Sequence, residues 1–556
     1  MHSRTAAFFP LLAVLLLALA LRVWGLTWGL PSGTHYFSYH PDENIVLEAA
    51  MGMNVFSGHL LPGFYHYGSL QLYLVNFANS LAFVFGFADI VIKDLTRDHA
   101  QWARLYLIGR GLSVAMGVGT VWVTYVLGWR LWGHAVGLWA AVILAIVPLH
   151  AQHSHWLTVD VPATFWGTLA LLWTAKLHDA LSSDARGRLI WRCALWAGVF
   201  AGLASATKYN MALALLPLLT VCVLARQIKL LLLGLAAAAI AFFFACPGAV
   251  LETRTFVSDV RFEWVHVSRQ PGPTFADTGN GFAYLVAHTL PAGLGLPLLL
   301  LVLASLGYAA VRRSRGDGLL AAFALPYFVV ISLASVRYAR YAVPLLPLFA
   351  LWSGRLLADW TLPRPRPVFF WRAFVVAAVL GLTLADCITV VRPMAQIDPR
   401  DRALAWLRQA PAPASIGFAA LPWFQTLPLS PYFSLPQPNA WRRFVPPGDP
   451  TLLNAEGRQW SMTVPTTDWD TAILTNSPPH YIVLSEYDYR DALRLHDRHA
   501  LAFLSILRQG YAPAAVFSGP PTVFRLHRTL GGLPTQDLPH DMLYPDPTIL
   551  IYTQRK

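Results

Sequence analysis

The stretch AAFFPLLAVLLLALALRVWGL, residues 6–26, is the first of a series of apolar runs that decide the fold of this 556-residue chain. A helix of about 20 mainly apolar residues is long enough to cross a membrane. The whole chain is 56% hydrophobic and only 13% charged, and its mean hydropathy is +0.48. A soluble chain of this size could not solvate such a surface. The composition therefore predicts a polytopic α-helical membrane protein.

The same N-terminal stretch also has the layout of a signal peptide. A basic residue, Arg4, precedes the apolar run, and Ala18-Leu19-Ala20 would serve as a cleavage site. The apolar run continues through Val23 and Trp24, however, and a polar loop follows it. We therefore expect this segment to be retained as the first span.

The length criterion predicts eleven spans in all, near residues 6–26, 104–128, 134–150, 160–177, 191–206, 209–225, 230–247, 284–309, 319–335, 341–357 and 371–391. Arginine and lysine between the spans accumulate on one side, which the positive-inside rule makes the cytoplasmic side. We expect a multi-pass protein of the plasma or inner cell membrane, with a cytoplasmic N-terminus and an extracytoplasmic C-terminal region.

The net charge of +12 would also fit a nucleic-acid-binding protein. The basic residues, however, lie mainly in short segments between the apolar runs, so we interpret the charge as topology. Membrane lipids, and not nucleic acid, are the expected partners. No CxxC spacing is present, so we expect no disulfide framework and no thiolate metal site from the four cysteines, Cys193, Cys222, Cys246 and Cys387.

Two modules follow from the distribution of the apolar runs. Residues 1–393 form the predicted membrane module, whose first extracytoplasmic loop, residues 27–103, has apolar residues at helical spacing over 42–56 and 69–87. We expect these two segments to be helices that lie along the membrane surface. Residues 394–556 lack long apolar runs and form a predicted extracytoplasmic α/β domain.

Short signals define the elements of this second module. Asp398-Pro399 is typical of a helix start, with the acid as N-cap and proline in the first helical position. Residues 490–508 have the pattern of an amphipathic helix. Four segments resemble strands, namely residues 415–418, 481–484, 514–517 and 522–526.

The first candidate for chemistry is His40-Pro41-Asp42-Glu43-Asn44, which follows the first span. The two acids could simply cap a helix that begins at Asn44. Alternatively, because neighbouring carboxylates repel, the pKa of at least one should be raised, which suits a general base. We predict catalytic roles for Asp42 and Glu43, with His40 as support.

The second candidate lies between the third and fourth predicted spans. Asp160 is either a helix cap or a second catalytic acid that faces Asp42 across an outward-facing cavity. His153 and His155 are predicted to support it, and with these carboxylates they would suit zinc or manganese. Their spacing does not define such a site, so we assign no metal ligand and no required cofactor.

The third candidate is cationic. The predicted outer face carries Lys208, Arg337 and Arg340, although basic residues usually prefer the cytoplasmic side. Each therefore needs a partner. They could be anchors at the membrane surface, assisted by tyrosines such as Tyr338. We predict instead that they and Tyr338 bind a lipid phosphate, because Arg offers paired donors and Lys a point charge.

Two acids, a cationic patch and an outward cavity together indicate transfer of a lipid-linked, phosphate-activated group to a hydroxyl or amine acceptor. No Walker loop or dinucleotide-type glycine run is apparent, which disfavours a soluble nucleotide donor. A transporter or flippase for a lipid-linked or anionic solute is the chief alternative, although its ionisable groups should lie near the bilayer midplane. A non-catalytic scaffold is a third interpretation.

Four motifs in this order resemble the GT-C glycosyltransferases, and most closely the branch of protein O-mannosyltransferases and lipid A aminoarabinose transferase. They are His40-Pro41-Asp42-Glu43, His155-Trp156-x-x-x-Asp160, Thr207-Lys208-Tyr209 and Arg340-Tyr341-x-x-Pro344. The resemblance covers about residues 5–391. It implies transfer of a sugar from a polyprenyl-phosphate carrier to a protein, lipid or glycan acceptor on the extracytoplasmic face.

The resemblance also implies roles for individual residues. Asp42 would be the base in a direct, inverting displacement, with Glu43 beside it and Asp160 as the second acidic site. The cationic residues Lys208, Arg337 and Arg340 would lie near the phosphate of the donor.

Overall fold

The structure is a computed structural model that describes residues 2–36, 38–54, 56–91, 95–183, 187–361, 366–411, 414–429, 460–463, 465, 467–521 and 527–555. A helical membrane part is followed by a small C-terminal domain with a sheet, which confirms the predicted fold class. The predicted strand at 522–526 lies outside the described residues.

Helices account for nearly all regular structure up to residue 395. In chain order they are His2–Val23, Pro41–Met51, Leu70–Val84, Leu95–Trp132, His134–Ile146, Pro148–His153, Asp160–Ser182, Gly187–Thr207, Tyr209–Leu215, Leu216–Leu224, Ile228–Ala245, Gly248–Leu251, Thr253–Arg269, Gly272–Phe275, Gly281–Tyr284, Leu285–Thr289, Leu290–Leu294, Leu296–Arg312, Arg315–Leu333, Ala339–Leu345, Leu346–Trp360, Arg366–Val391 and Arg392–Ala395. The segments 209–215, 339–345 and 392–395 are 3₁₀-helical, and 285–289 is a π-helix.

Within the described residues, six helical segments are long and apolar enough to cross a membrane, namely Asp98–Trp132, Gly187–Thr207, Ile228–Ala245, Arg315–Leu333, Ala339–Trp360 and Phe369–Leu407. A bent pair of helices would make a seventh. Phe9–Val23, His134–Ile146 and Tyr209–Leu224 are apolar but shorter. The membrane-protein fold is thus established, while the number of eleven spans stays a prediction.

The predicted span at 284–309 is two helices and not one. Gly281–Leu294 and Leu296–Arg312 meet at an angle of 120°. Gly295 between them has a φ of +74°, which L side chains rarely adopt, and a Cβ there would lie 2.5 Å from Asp386 Oδ2. The apolar composition of the run concealed this break, because leucine-rich helices on both sides of Gly295 satisfy the same hydropathy pattern.

Small residues allow neighbouring membrane helices to pack closely. A Cβ at Gly198, in helix Gly187–Thr207, would lie 2.0 Å from the carbonyl oxygen of Gly234 in helix Ile228–Ala245. Such close backbone contact is a usual means of helix association in membranes. It fixes the helix that ends immediately before Lys208, where the predicted break between the fifth and sixth spans is indeed found.

The first loop contains two helices where they were predicted, at Pro41–Met51 and Leu70–Val84. Leu70–Val84 is also one of the shorter apolar helices, and the position of both along the membrane surface stays a prediction. The sequence analysis missed a third helix, Thr253–Arg269, in the loop before the bent pair. Hydrogen bonds from the Ser335 and Val336 amides to the Val267 carbonyl tie its C-terminal end to the loop before Arg340.

The C-terminal domain has a five-stranded mixed sheet in the order β2-β1-β3-β7-β4 and a separate β5–β6 hairpin. Its strands are β1 Ala414–Phe418, β2 Trp460–Thr463, β3 Tyr481–Ser485, β4 Tyr511–Phe517, β5 His527–Leu530, β6 Leu533–Gln536 and β7 Ile549–Gln554. Its helices are Pro399–Leu407, Ala472–Thr475, Glu486–Arg494, Arg498–Gly510 and the 3₁₀-helix His540–Met542. Strand β1 pairs in parallel with β2 and β3, whereas β7 lies antiparallel between β3 and β4.

Two of the local helix signals in this domain have different outcomes. Asp398 caps helix Pro399–Leu407 by accepting from the Arg400 amide, as predicted. The single helix predicted over 490–508 is wrong, because two helices flank a break at 495–497. His496 there has a φ of +53°, and Asp497 caps the second helix by accepting from the amides of His499 and Ala500.

The domain rests on the first loop of the membrane part. Trp28 Nε1 donates to Asp398 Oδ2 at 2.9 Å, and the Tyr39 hydroxyl donates to Asp401 Oδ1 at 2.6 Å. The Arg400 guanidinium stacks on the Tyr39 ring at 3.9 Å. These contacts bring the C-terminal domain directly over the helix that carries Asp42.

Candidate active site

The Asp42 carboxylate forms an ion pair with Arg340 at the end of the helical bundle next to the C-terminal domain. Asp42 Oδ2 lies 3.0 Å from Arg340 Nη2, and the two side chains are 21% and 9% exposed. The Arg340 guanidinium lies over the Tyr338 ring, 4.0 Å from the ring centroid. Arg340 Nη1 is buried and has no hydrogen-bond partner among the described residues. This corner therefore has a donor available for an anionic ligand.

The helix that carries Asp42 begins earlier than the capping interpretation requires. It starts at Pro41, and the N-cap is His40, whose Nδ1 accepts from the Asp42 amide at 3.2 Å. Asp42 and Glu43 are thus both in the first helical turn, and neither caps a helix at Asn44. The positive end of the helix dipole still favours negative charge at these positions.

A second ion pair joins Asp160 to Lys208. Lys208 Nζ lies 2.6 Å from Asp160 Oδ1, the side chains are 12% and 3% exposed, and the ammonium group is 4.6 Å from the Tyr341 ring centroid. The N-cap of helix Asp160–Ser182 is Val159, so the interpretation of Asp160 as a cap is wrong. Its carboxylate is used for the pair with Lys208.

Electrostatic interactions connect the two ion pairs. Burial raises the pKa of Asp42 above its usual value, Arg340 acts in the opposite direction, and the charges of Asp160 and Asp541 raise it further. A raised pKa makes the ionised carboxylate a stronger base. The expectation of a raised pKa thus holds for Asp42, although burial and more distant acids cause it, and not repulsion by its neighbour Glu43.

Glu43 points away from this corner into the protein interior. Its Oε2 lies 2.6 Å from Arg110 Nη2, and its Oε1 lies 2.8 Å from Arg110 Nε. The Leu157 amide and the Ser38 hydroxyl also donate to it, at 2.7 and 2.5 Å. Arg110 in turn donates to the carbonyl oxygens of Leu26 and Trp28, which follow the first helix. Both charges are fully buried and densely hydrogen-bonded.

The predicted support histidines at 153 and 155 have different surroundings. The two nitrogens of His155 lie 2.9 and 3.0 Å from the carbonyl oxygens of Ala151 and Trp24, so the ring has little capacity left for a ligand. His153 Nε2 lies 3.7 Å from Asp541 Oδ2, and burial lowers the pKa of His153 to about 4. Of the described residues, no group of three His, Cys, Asp or Glu could hold a metal ion.

Arg337 and Tyr338 are separated although they are adjacent in sequence. Arg337 Nη1 donates to Thr278 Oγ1 at 2.7 Å, and its guanidinium lies 5.7 Å from the Tyr284 ring centroid. Thr278 and Tyr284 line a cleft of about 720 Å³ between the bent helix pair and the C-terminal domain. Arg337 thus contacts two residues of the cleft wall, whereas the Tyr338 ring packs against the Arg340 guanidinium.

The sequence analysis missed two acids near these ion pairs. Glu263, on helix Thr253–Arg269, interacts electrostatically with Lys208 and Arg340. Burial raises the pKa of Glu263 above its usual value, although these cations act in the opposite direction. Asp541 comes from the C-terminal domain, and its carboxylate oxygens accept from the amides of Ala339 and Arg340 at 2.9 Å each. No local pattern marks either residue, because each acquires its role from elements distant in sequence.

Comparisons with known proteins agree with this architecture. Residues 107–250 match the sequence model of a family described as dolichyl-phosphate-mannose-protein mannosyltransferase. A search of curated protein sequences finds no match.

Among solved structures, the chain is similar to ArnT from Cupriavidus metallidurans in the apo state, with a TM-score of 0.53 and 14% identity over 99% of this chain and 98% of ArnT. ArnT bound to undecaprenyl phosphate gives a TM-score of 0.51 at 14% identity, over 98% of both chains. The archaeal oligosaccharyltransferase AglB from Archaeoglobus fulgidus, in complex with an inhibitory peptide and a dolichol-phosphate, gives 0.51 at 14% identity, over 96% of this chain and 74% of AglB. The predicted resemblance is confirmed at the level of the fold: this is a membrane protein with the GT-C glycosyltransferase fold.

Proposed function

We propose that this protein transfers a sugar from a polyprenyl-phosphate carrier to a hydroxyl or amine acceptor on the extracytoplasmic face of the membrane, with inversion at the anomeric carbon. The observation that carries the proposal is the Asp42–Arg340 pair, in which a carboxylate of raised pKa lies beside a buried, unpartnered guanidinium nitrogen. A base and an anion-binding donor are the two groups that such a transfer requires.

In the proposed reaction the acceptor oxygen or nitrogen attacks the anomeric carbon while the bond from that carbon to the phosphate oxygen breaks. Asp42 takes the proton of the acceptor, and polyprenyl phosphate leaves with the bonding electron pair. Arg340, with its free Nη1, stabilises the negative charge that develops on the leaving phosphate. Transition-state stabilisation of this kind is the principal source of rate.

The remaining predicted residues receive supporting roles in this proposal. Asp160 and Lys208 form the second wall of the site, where Lys208 adds positive charge near the donor phosphate. Tyr338 supports the Arg340 guanidinium from below. Glu43 fixes the position of the helix that carries Asp42 through its pair with Arg110. His40 and His153 belong to the buried surroundings of the Asp42–Arg340 pair. Arg337 is assigned to the neighbouring cleft that Thr278 and Tyr284 line.

One observation favours the alternative of a transporter or flippase. The bent pair Gly281–Leu294 and Leu296–Arg312 has the length and composition of a broken span or a re-entrant loop, and broken helices are common where transporters bind their substrates. Transport and transfer have different products, because transport leaves the bond between sugar and phosphate intact.

The test is to incubate the purified full chain with labelled polyprenyl-phosphate sugars and a panel of hydroxyl and amine acceptors. We expect wild type to release polyprenyl phosphate and to label an acceptor, and Asp42→Asn to be slower by about 10²–10⁴-fold. Asp497→Asn, an exposed helix cap in the C-terminal domain, is the matched control and should retain the wild-type rate. Equal transfer by wild type and Asp42→Asn would remove Asp42 as the base, and movement of an intact donor across vesicles would favour the transporter.

A further inference from the structure

The C-terminal domain supplies one buried carboxylate to the membrane part. Asp541 has no exposed surface, and its Oδ1 and Oδ2 accept from the amides of Ala339 and Arg340, both at 2.9 Å. The partners are about 200 residues apart in sequence. Of the proposed site residues, Arg340 is thus the one whose main chain is fixed directly by the other module.

The geometry resembles a helix cap provided by a distant part of the chain. Ala339 and Arg340 begin the 3₁₀-helix Ala339–Leu345, and the first amides of a helix have no partner within it. A carboxylate that accepts from two such amides satisfies both and is favoured by the helix dipole. Because the Arg340 main chain is held there, its guanidinium is directed towards Asp42.

The residues on both sides of Asp541 are held by hydrogen bonds to their carbonyl oxygens. From the membrane part, Gln152 Nε2 donates to the Met542 carbonyl at 3.0 Å. From the C-terminal domain, the Tyr487 hydroxyl donates to the His540 carbonyl at 2.9 Å. The position of Asp541 therefore depends on how the domain rests on the bundle, and it is not set by the short segment alone.

We propose that Asp541 is a positioning residue through which the docked C-terminal domain places Arg340 for the donor phosphate. The inference rests on the proposed function, and it extends that function by making donor binding depend on a domain outside the membrane. Both oxygens of Asp541 accept from the Ala339 and Arg340 amides, so the role inferred here is to hold Arg340 and not to bind the donor. Its negative charge also acts on Asp42, but loss of that charge alone would favour an anionic ligand, so weaker binding reports the lost amide contact.

The experiment measures binding of undecaprenyl phosphate to the purified full chain. Asp541→Asn preserves the size of the side chain but replaces one acceptor oxygen with a donor, so one amide loses its partner. We expect binding to weaken about tenfold. Asp497→Asn is the matched control, because Asp497 also accepts from two amides at a helix start but lies on the exposed surface of the domain. It should leave binding unchanged.

A double-variant cycle separates positioning from a general structural role. In an Arg340→Ala background, Asp541→Asn should cause no further loss of undecaprenyl phosphate binding, because the group through which it acts is gone. Additive losses in the double variant would overturn the inference. If Asp541→Asn fails to fold, Gln152→Leu, which removes the hydrogen bond to Met542, should weaken binding in the same direction by a smaller factor; unchanged binding in that variant would also overturn it.

The outcomes distinguish this inference from the proposed function. If wild type and Asp497→Asn bind undecaprenyl phosphate and Asp541→Asn binds it equally well, the positioning role is wrong and the proposed function stands. If wild type itself does not bind undecaprenyl phosphate or dolichyl phosphate, the proposed function fails, and the positioning role fails with it.

Discussion

Asp42 and Glu43 are adjacent in the sequence, yet their ion pairs differ in nearly every physical respect. The Glu43–Arg110 pair is fully buried, joined by two close contacts, and completed by donors from Leu157 and Ser38. The Asp42–Arg340 pair has a single contact, and its carboxylate is 21% exposed. The Glu43–Arg110 pair uses all of its charge within the protein. The Asp42–Arg340 pair retains hydrogen-bonding capacity for a ligand.

The difference shows why charge alone does not identify a site. Consecutive residues in a helical turn point in directions about 100° apart, so two neighbouring acids face different surroundings. The buried pair satisfies its charges completely and so has no capacity for chemistry. The partly satisfied pair retains a donor without a partner among the described residues, and incompletely paired charges of this kind are more frequent at functional sites.

The largest effect on stability should come from a change in the Glu43–Arg110 pair. Glu43→Gln leaves the Arg110 guanidinium buried without a countercharge, and we expect the free energy of unfolding to fall by about 3–5 kcal/mol. Glu48→Gln, an exposed change on the same helix, is the control and should have little effect. Thermal unfolding in detergent measures both. A Glu43→Gln protein as stable as Glu48→Gln would contradict the stabilising role of the Glu43–Arg110 pair.

Changes to the Asp42–Arg340 pair should instead weaken ligand binding. Arg340→Ala removes the unpartnered Nη1 donor, and we expect binding of undecaprenyl phosphate to weaken about 10–100-fold, as for loss of a charged hydrogen bond. Arg337→Ala, three residues away, is the matched control because its guanidinium contacts Thr278 and Tyr284. A larger loss for Arg337→Ala would instead support Arg337 as the residue that binds the phosphate.

The second pair of the site should show an intermediate effect. Lys208→Met leaves Asp160 buried without its cation, and we expect a loss of about 1–3 kcal/mol in stability. Because Asp160→Asn removes the unpaired charge, the double variant should recover part of that loss. Unfolding midpoints of the two single variants and the double variant test this. A double variant less stable than Lys208→Met would contradict the pairing.

The smallest effect is the pH dependence of the rate. In the proposed reaction Asp42 must be ionised to accept a proton, and burial raises the pKa of its carboxyl group. As the pH falls through this raised pKa, the base becomes protonated and the rate of polyprenyl phosphate release declines, by up to about tenfold per pH unit. The decline should begin at a higher pH than an ordinary aspartate would cause. A pH–rate profile that is flat down to the pKa of a free aspartate would contradict this.

Several features could be predicted because their signals are local. The break at Lys208 and the Asp398-Pro399 helix start each depend on a few consecutive residues. The ion pairs of Asp42 and Asp160 could be anticipated only in part: the sequence predicts that these acids and the cations lie on the same side of the membrane, but not which ones pair. Pairing depends on side-chain direction, which helical packing determines.

Other features have no local signal at all. The contribution of Asp541 requires a polar segment of the last domain to return to the start of a membrane helix about 200 residues earlier. At the bend, a Cβ on Gly295 would clash with Asp386, which belongs to another helix. The inward direction of Glu43 follows from helical geometry, but its partner Arg110 lies 67 residues away within a largely apolar helix, where no nearby acid marks it as a countercharge.

The central claim, that neighbouring acids perform separate tasks, is tested most directly by measuring two quantities on Asp42→Asn and Glu43→Gln side by side. These quantities are the single-turnover rate of polyprenyl phosphate release and the midpoint of thermal unfolding. We expect Asp42→Asn to unfold close to wild type while releasing polyprenyl phosphate at least about 100-fold more slowly, and Glu43→Gln to unfold at a clearly lower temperature. A wild-type rate for Asp42→Asn, or a wild-type midpoint for Glu43→Gln, would contradict this division of tasks.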